Sequence, residues 1–287
     1  FSFRRRVSFY GLAMRGNGFK LQEGVKIAMK NLDINHYALK DSLGLYGTVP
    51  LIYAVDDTSP AKHTTGIFWL SGATIEAEIS KDWQGSRLSI MSSEGGVKVF
   101  MLPGPTAKDV LKQYLHLTGK PMLPPYFSTG YHQCRWSYRN QRDVLEVNRG
   151  FDTNHVPCDA IWLDIDHTDG KRYFTWDKRK FPDPKKMQNT LWADSKRRMV
   201  TITDPHIKAD THYHVFSEGF KHGYFVNNQD GTNAFRGHCW PGESVWIDYY
   251  NPDARSWYAT LFDYDRYEGS TKYLYSWNDM NEPSVFS

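Results

Sequence analysis

Three short apolar runs in this chain each end on an aspartate, and that repetition restricts the folds open to it. Ile161-Trp162-Leu163 leads into Asp164-Ile165-Asp166, Val200-Thr201-Ile202-Thr203 into Asp204-Pro205-His206, and Tyr273-Leu274-Tyr275-Ser276-Trp277 into Asn278-Asp279. Short runs rich in β-branched and aromatic residues read as buried strands. A further strand is expected over 126–135. Helical spacing separates them: Val144, Leu145 and Val147 within 141–149, and Met187, Leu191 and Trp192 within 185–198. Alternating β and α elements imply a parallel sheet. In a (β/α)8 barrel, polar residues at the C-terminal ends of the strands converge on one site. A single acid there reads equally well as a helix N-cap. Three in the same position favour a shared site.

The first hundred residues have a different rhythm. Strands are expected at Val25–Met29, Tyr46–Ala54, Gly66–Leu70 and Val97–Leu102, divided by turn clusters at 56–60 and 92–96. That pattern indicates a β-sandwich. Pro50 inside the second strand predicts an edge or a bulge. Thr106 is placed to cap a helix carrying Val110, Leu111, Tyr114 and Leu115, which Gly119 ends. The expected organisation is therefore a β-sandwich over 1–104, a linker helix over 105–125, and α/β structure over 126–287. The last part reads as the first half, about four strands, of a (β/α)8 TIM barrel. The long stretch 206–272 reads as an insertion after the third barrel strand.

Composition excludes several functions. Net charge is only +3 across 287 residues, and the one tight basic run is Arg4-Arg5-Arg6. This is too weak a footprint for nucleic acid. No apolar run reaches the ~20 residues that span a bilayer. The three cysteines, Cys134, Cys158 and Cys239, form no CxxC pair, so no zinc cage is expected. His206, His212 and His214 lack accompanying carboxylate ligands and read as polar loop residues. Trp162 and Trp69, inside apolar runs, read as core. Aromatics make up 15% of the chain, and flat faces with a polar edge suit sugar rings.

Paired carboxylates suggest glycoside hydrolysis. A retaining enzyme uses one ionised carboxylate as nucleophile and a second, protonated, as acid. Asn278 and Asn281 flank Asp279 as candidate donors that favour its ionised form. Trp277-Asn278-Asp279-Met280-Asn281-Glu282-Pro283-Ser284 resembles the nucleophile signature of glycoside hydrolase family 31. Ile161–His167, Val200–His206 and Cys239-Trp240-Pro241-Gly242 stand in the family's order, and the resemblance runs from about Tyr10 onward. Segments 131–139 and 169–177 are similar to the branch of the family that trims glucose from N-glycans.

The resemblance implies a role for each matching residue. Asp279 would be the nucleophile, with Met280 beside it. Asp164 would bind hydroxyls of the sugar being cleaved. Ile165 and Ile202 would form an apolar wall, and Trp240 and Trp277 would shape the same subsite. Trp136 would pack on the neighbouring sugar. Asp33 would lie on a loop reaching from the sandwich. Asp166 and Asp204 read as orienting groups, and Glu282 as structural. Met14 and Asn35 depart from the family's pattern. No cofactor or metal is implied. The implied substrate is terminal α-1,3-linked glucose on high-mannose N-glycans, the implied partner a mannose-binding regulatory β subunit, and the implied location the endoplasmic-reticulum lumen. An α-1,4-glucosidase or an α-xylosidase of the family is the rival reading. The family's acid/base aspartate is expected downstream of Ser287, so these residues alone read as an inactive sugar-binding fragment.

Overall fold

The computed structural model describes residues 1–34, 36–39 and 44–286. Asn35 lies outside them. The chain forms two compact units, Phe1–Met122 and Leu123–Ser287.

The first unit is β-rich. Its strands are β1 (Ser2–Phe3), β2 (Val7–Met14), β3 (Lys26–Met29), β4 (Leu45–Asp56), β5 (Thr64–Trp69), β6 (Ile75–Asp82), β7 (Gly85–Ser92) and β8 (Val99–Leu102). They make two antiparallel sheets, ordered β1-β7-β6-β3 and β2-β4-β5-β8. Both sheets contribute to one buried cluster, with Phe9, Ile52 and Ile67 from one and Ile27, Ile75 and Leu88 from the other. Alternation along each strand sends these residues inward. Strands β1, β2, β6 and β7 were not foreseen.

Pro50 lies within β4, a central strand, where a ladder donor should be missed. A register shift resolves this. Leu12 faces Val49 while Gly11 faces Ile52, so Pro50 sits in a bulge on the β2 side. On the other side, pairing with β5 begins only at Leu51. Gly11 allows the bulge. It has φ +111°, and a Cβ there would lie 2.3 Å from the Leu51 carbonyl oxygen.

Helix α1 (Ala107–Thr118) begins at a capping box in which Thr106 and Asp109 each bond the other's backbone N–H. Its Val110 is fully buried with Leu51, Phe68 and Leu102 on the outer face of β4, β5 and β8. Gly66 makes room for it, since a Cβ at that position would lie 2.4 Å from Val110 Cγ1.

The second unit contains β9 (His132–Arg135), α2 (Gln141–Thr153), β10 (Ala160–Leu163), α3 (Pro184–Ser195) and β11 (Arg198–Thr203). After these come β12 (His206–Lys208), α4 (His214–His222), β13 (Gly237–Cys239), β14 (Gly242–Trp246), α5 (Pro252–Thr260) and β15 (Leu274–Asn278). Strands β15-β11-β10-β9 form a parallel sheet in that order, and β12-β14-β13 form a small antiparallel one. Ile161, Leu163 and Met199 share a buried cluster with Val144 of α2 and Met187 and Leu191 of α3.

The single strand expected over 126–135 is corrected. Residues Tyr126–Thr129 form a 3₁₀ turn, and only His132–Arg135 is strand. The Ser128 and Thr129 hydroxyls donate to the carbonyls of Pro125 and Tyr126 at 2.7 and 2.8 Å, winding the chain locally. The turn carries Phe127 onto Tyr275, ring centroids 4.8 Å apart. Phe127 leads into β9 and Tyr275 lies in β15, the two edge strands of this sheet. No helix among the described residues is long and apolar enough to cross a membrane.

Gly66→Val should lower stability by about 1–3 kcal/mol by overpacking the seat of α1. A fall in the denaturant midpoint with unchanged slope would register it.

Candidate active site

Register decides which side chains meet. Leu163 pairs with Thr201 and with Arg135, and Ile202 pairs with Trp277. One residue beyond Leu163 and Arg135, Asp164 and Trp136 therefore stand level with Ile202 and Trp277. Two residues higher, Asp204 and Asp279 each follow the Thr203–Asn278 pair. Period-2 alternation puts all six on one face of the sheet. Trp162 lies on this face too. It is only partly buried, lies with its ring tilted against Trp277 at 5.3 Å and donates to His132 Nδ1 at 2.8 Å, so its expected place in the core is corrected.

Asp164 caps the 3₁₀ turn Ile165–His167, accepting the Ile165 N–H at 2.7 Å. Burial raises its pKa, and the charges of Asp166 and Asp279 push the same way against the Ile165 hydrogen bond. Asp166 accepts the Ser137 N–H at 2.8 Å, just past Trp136. His167 is buried, with Nδ1 2.8 Å from the Asp164 carbonyl and Nε2 3.1 Å from the Tyr267 hydroxyl. A carbonyl only accepts, so Nδ1 carries the proton and Tyr267 donates to Nε2. Burial lowers the His167 pKa to about 4, which keeps it neutral.

Asp204 and His206 are both fully buried. The Tyr173 hydroxyl hydrogen-bonds Asp204 Oδ2 and lies 2.9 Å from His206 Nε2. Burial pushes Asp204 up to about 7, opposed by the bond to Tyr173 and reinforced by Asp279, Asp164 and Glu282. Burial lowers His206 to about 3. His206 lies in β12, not in a polar loop as expected, because its ring packs on Tyr173 and Trp246.

Asp279 is half-buried at the end of β15 and acts electrostatically on Cys134, Asp164 and Asp204, which places it in their company. Asn281 Nδ2 donates at 2.8 Å to the main-chain carbonyl of Asp279. Glu282 accepts from the Ser284 hydroxyl at 2.9 Å. Met280 has φ +60°. Ile165 and Ile202 are each 4% exposed and belong to the core cluster. Trp240 follows β13 and is part exposed, with its ring 6.4 Å from Trp136 and 4.7 Å from Phe286. Asp33 lies on an exposed segment of the first unit. Tyr173, His132, His167 and Tyr267 were missed. Nothing in local periodicity marks them, because partners far along the chain define them.

A sequence profile described as the glycosyl hydrolases family 31 TIM-barrel domain matches residues 121–287, and one described as the family's N-terminal galactose mutarotase-like domain matches 1–77. The chain belongs to glycoside hydrolase family 31. It is similar to neutral alpha-glucosidase AB of Dictyostelium discoideum, 49% identical over 95% of this chain and 28% of the relative. The catalytic subunit in a crystal structure of the heterodimeric ER glucosidase II complex, which also holds the binding domain of its regulatory subunit, superposes with TM-score 0.92. It is 39% identical over 99% of this chain and 33% of that one. A glucosidase II alpha subunit bound to alpha3-Glc2 superposes with TM-score 0.91 at 39% identity, over 97% of this chain and 32% of that one. The chain thus spans about a third of these relatives.

A buried imidazole with a lowered pKa binds protons better in the unfolded chain. The stability it contributes is whole above the ordinary value of 6.5 and is lost as pH falls through about 4. The thermal midpoint should therefore fall less steeply between pH 6.5 and 4 in His167→Gln than in the unsubstituted protein, as differential scanning fluorimetry can measure.

Proposed function

We propose that the whole protein is a retaining, exo-acting α-glucosidase with Asp279 as its nucleophile. The observation that carries this is the register of β11 and β15. It stands Asp279 at a strand end beside Asp204, on the sheet face that also presents Asp164. The Asp279 carboxylate attacks the anomeric carbon while a second carboxyl protonates the leaving oxygen. Water then cleaves the glucosyl ester, giving its proton to that second carboxyl. By the resemblance, the second carboxyl belongs to a residue downstream of Ser287.

Asp164 accepts hydrogen bonds from hydroxyls of the bound glucose. Ile165 and Ile202 wall the subsite, with Met280, Trp240 and Trp277 around it, and Trp136 packs on the next sugar. The substrate in this reading is terminal α-1,3-linked glucose on high-mannose N-glycans, supported by the neighbour bound to alpha3-Glc2. A regulatory β subunit and the endoplasmic-reticulum lumen go with it, supported by the heterodimeric neighbour.

A mechanism-based inhibitor that traps the glycosyl-enzyme should label Asp279 of the full-length protein in peptide mass spectra. Label on another residue, or turnover without label, overturns the assignment. Asp279→Ala should lower kcat by about 10⁴-fold or more while ligand still binds. The enzyme should cleave an α-1,3-linked glucose disaccharide with higher kcat/KM than maltose, and a preference for maltose would refute the substrate.

A further inference from the structure

Asp204 has the raised pKa an acid catalyst needs, yet none of its side chain is exposed. A catalytic acid must come within hydrogen-bond reach of the oxygen it protonates, and an enclosed carboxyl cannot. Its chemistry is internal.

Three segments meet at this carboxyl. Tyr173 comes from the loop after β10, Asp204 ends β11, and His206 opens β12. His206 Nε2 lies 3.4 Å from Asp204 Oδ2 and 2.9 Å from the Tyr173 hydroxyl. Tyr213 donates to the Tyr173 carbonyl at 2.7 Å, holding that loop in place. The titratable groups acting on Asp204 are Tyr173, Asp164, Asp279 and Glu282, with Tyr258 also near. Cys239 and Tyr213 act on Tyr173. Among these described residues there is no ammonium or guanidinium.

Two proton arrangements fit the distances. If Asp204 is ionised, His206 Nε2–H donates to Tyr173 and Tyr173 donates to Asp204. If it is neutral, Asp204 donates to Tyr173 and Tyr173 donates to His206 Nε2, leaving the imidazole proton on Nδ1. Both make the same bonds. They differ in one buried negative charge, facing other carboxylates with no cation among the groups named, and in whether the buried His206 Nδ1, which has no hydrogen-bond partner among the described residues, carries a proton. An unpaired N–H costs less than an unpaired charge.

We propose that Asp204 is a positioning residue that keeps its proton and shares it along an Asp204–Tyr173–His206 chain, tying the ends of β10, β11 and β12 together without a third negative charge beside Asp279 and Asp164. This rests on the reading of Asp279 as nucleophile. Asparagine reproduces a neutral carboxyl's shape and can donate, whereas alanine leaves a gap and an unpaired tyrosine.

The test uses the full-length protein with an aryl α-glucoside, the Asp279 trapping reagent and thermal midpoints from pH 4 to 8. Asp204→Ala should cut kcat at least about tenfold, and Asp204→Asn should restore it to within about threefold. An acid with a raised folded pKa contributes stability that is lost as pH rises from about 4 to about 7. The midpoint of Asp204→Asn should therefore gain on the unsubstituted protein across that range. A pH-independent difference, or an Asn variant as inactive as the Ala variant, overturns the proposal. Should Asp204→Asn fail to fold, Tyr173→Phe removes the bond that opposes the raised pKa, so the fall in stability should move to higher pH. An unmoved profile also overturns the proposal. Absence of label on Asp279 in the unsubstituted protein would instead count against the nucleophile reading.

Discussion

The parallel register of four strands determines every neighbour relation in the candidate site. A one-residue slip of any strand would turn its whole set of side chains to the opposite face. The slip is resisted from the other side of the sheet. Ile161, Leu163 and Met199 are each at most 1% exposed, in one cluster with side chains of α2 and α3. Burying such side chains is worth roughly 1.5–3 kcal/mol each. The face packed on α2 and α3 thereby holds the face of the candidate site in alignment.

That alignment sets an electrostatic problem, because it gathers carboxylates. The unit treats its acids in two ways. Asp210 is bonded by Arg172, and Asp152 by the buried Arg197, and both are held below the ordinary carboxylate range by those guanidinium hydrogen bonds. Asp164 and Asp204 go the other way, raised first by burial and then by one another's neighbours. Acids met by arginine fasten loops and helices together. Perturbation by desolvation together with specific charged neighbours is characteristic of working sites.

Much of this was legible in the sequence, for identifiable reasons. Apolar runs ending on Asp164, Asp204 and Asp279 marked strand ends, because a buried parallel strand has little choice but to be apolar. Thr106 marked the start of α1, because an orphan backbone N–H needs a side-chain acceptor. What escaped detection was defined by partners rather than by pattern. Strand β6, Ile-Glu-Ala-Glu-Ile, alternates correctly, but its glutamates disfavour a strand locally, and only pairing with β3 and β7 stabilises it. The turn at 126–129 looked extended until its hydroxyls were seen bonding backward. His206 looked like a loop residue beside His212, whereas one is fully buried and the other exposed. Tyr173 and His167 owe their roles to contacts 31 and 100 residues away.

The backbone adds an argument independent of charge. Non-glycine residues with positive φ are uncommon, and a left-handed turn costs an L-residue about 1–2 kcal/mol. In the second unit, His155 and Lys196 adopt it just beyond α2 and α3, where a helix end explains them, and Lys171 adopts it in the tight turn between the bridged Asp169 and Arg172. Ser137, Phe174 and Met280 have no such excuse, at φ 71°, 60° and 60°. Each directly follows a residue of the site or its support: Trp136, Tyr173 and Asp279. Each is also held by a specific bond or packing. Asp166 accepts the Ser137 N–H, Phe174 is packed edge-on against Tyr258, Phe262 and Tyr267, and the Met280 carbonyl accepts from Ser284 N–H at 3.0 Å. A chain leaving a strand in the extended conformation would carry the next side chain onward past the rim of the sheet. A left-handed residue instead folds the backbone back at once, so the side chain before it stays at the rim. Strain tolerated at these points, and secured by contacts unrelated to one another, is what a fold selected to hold three side chains in place would contain.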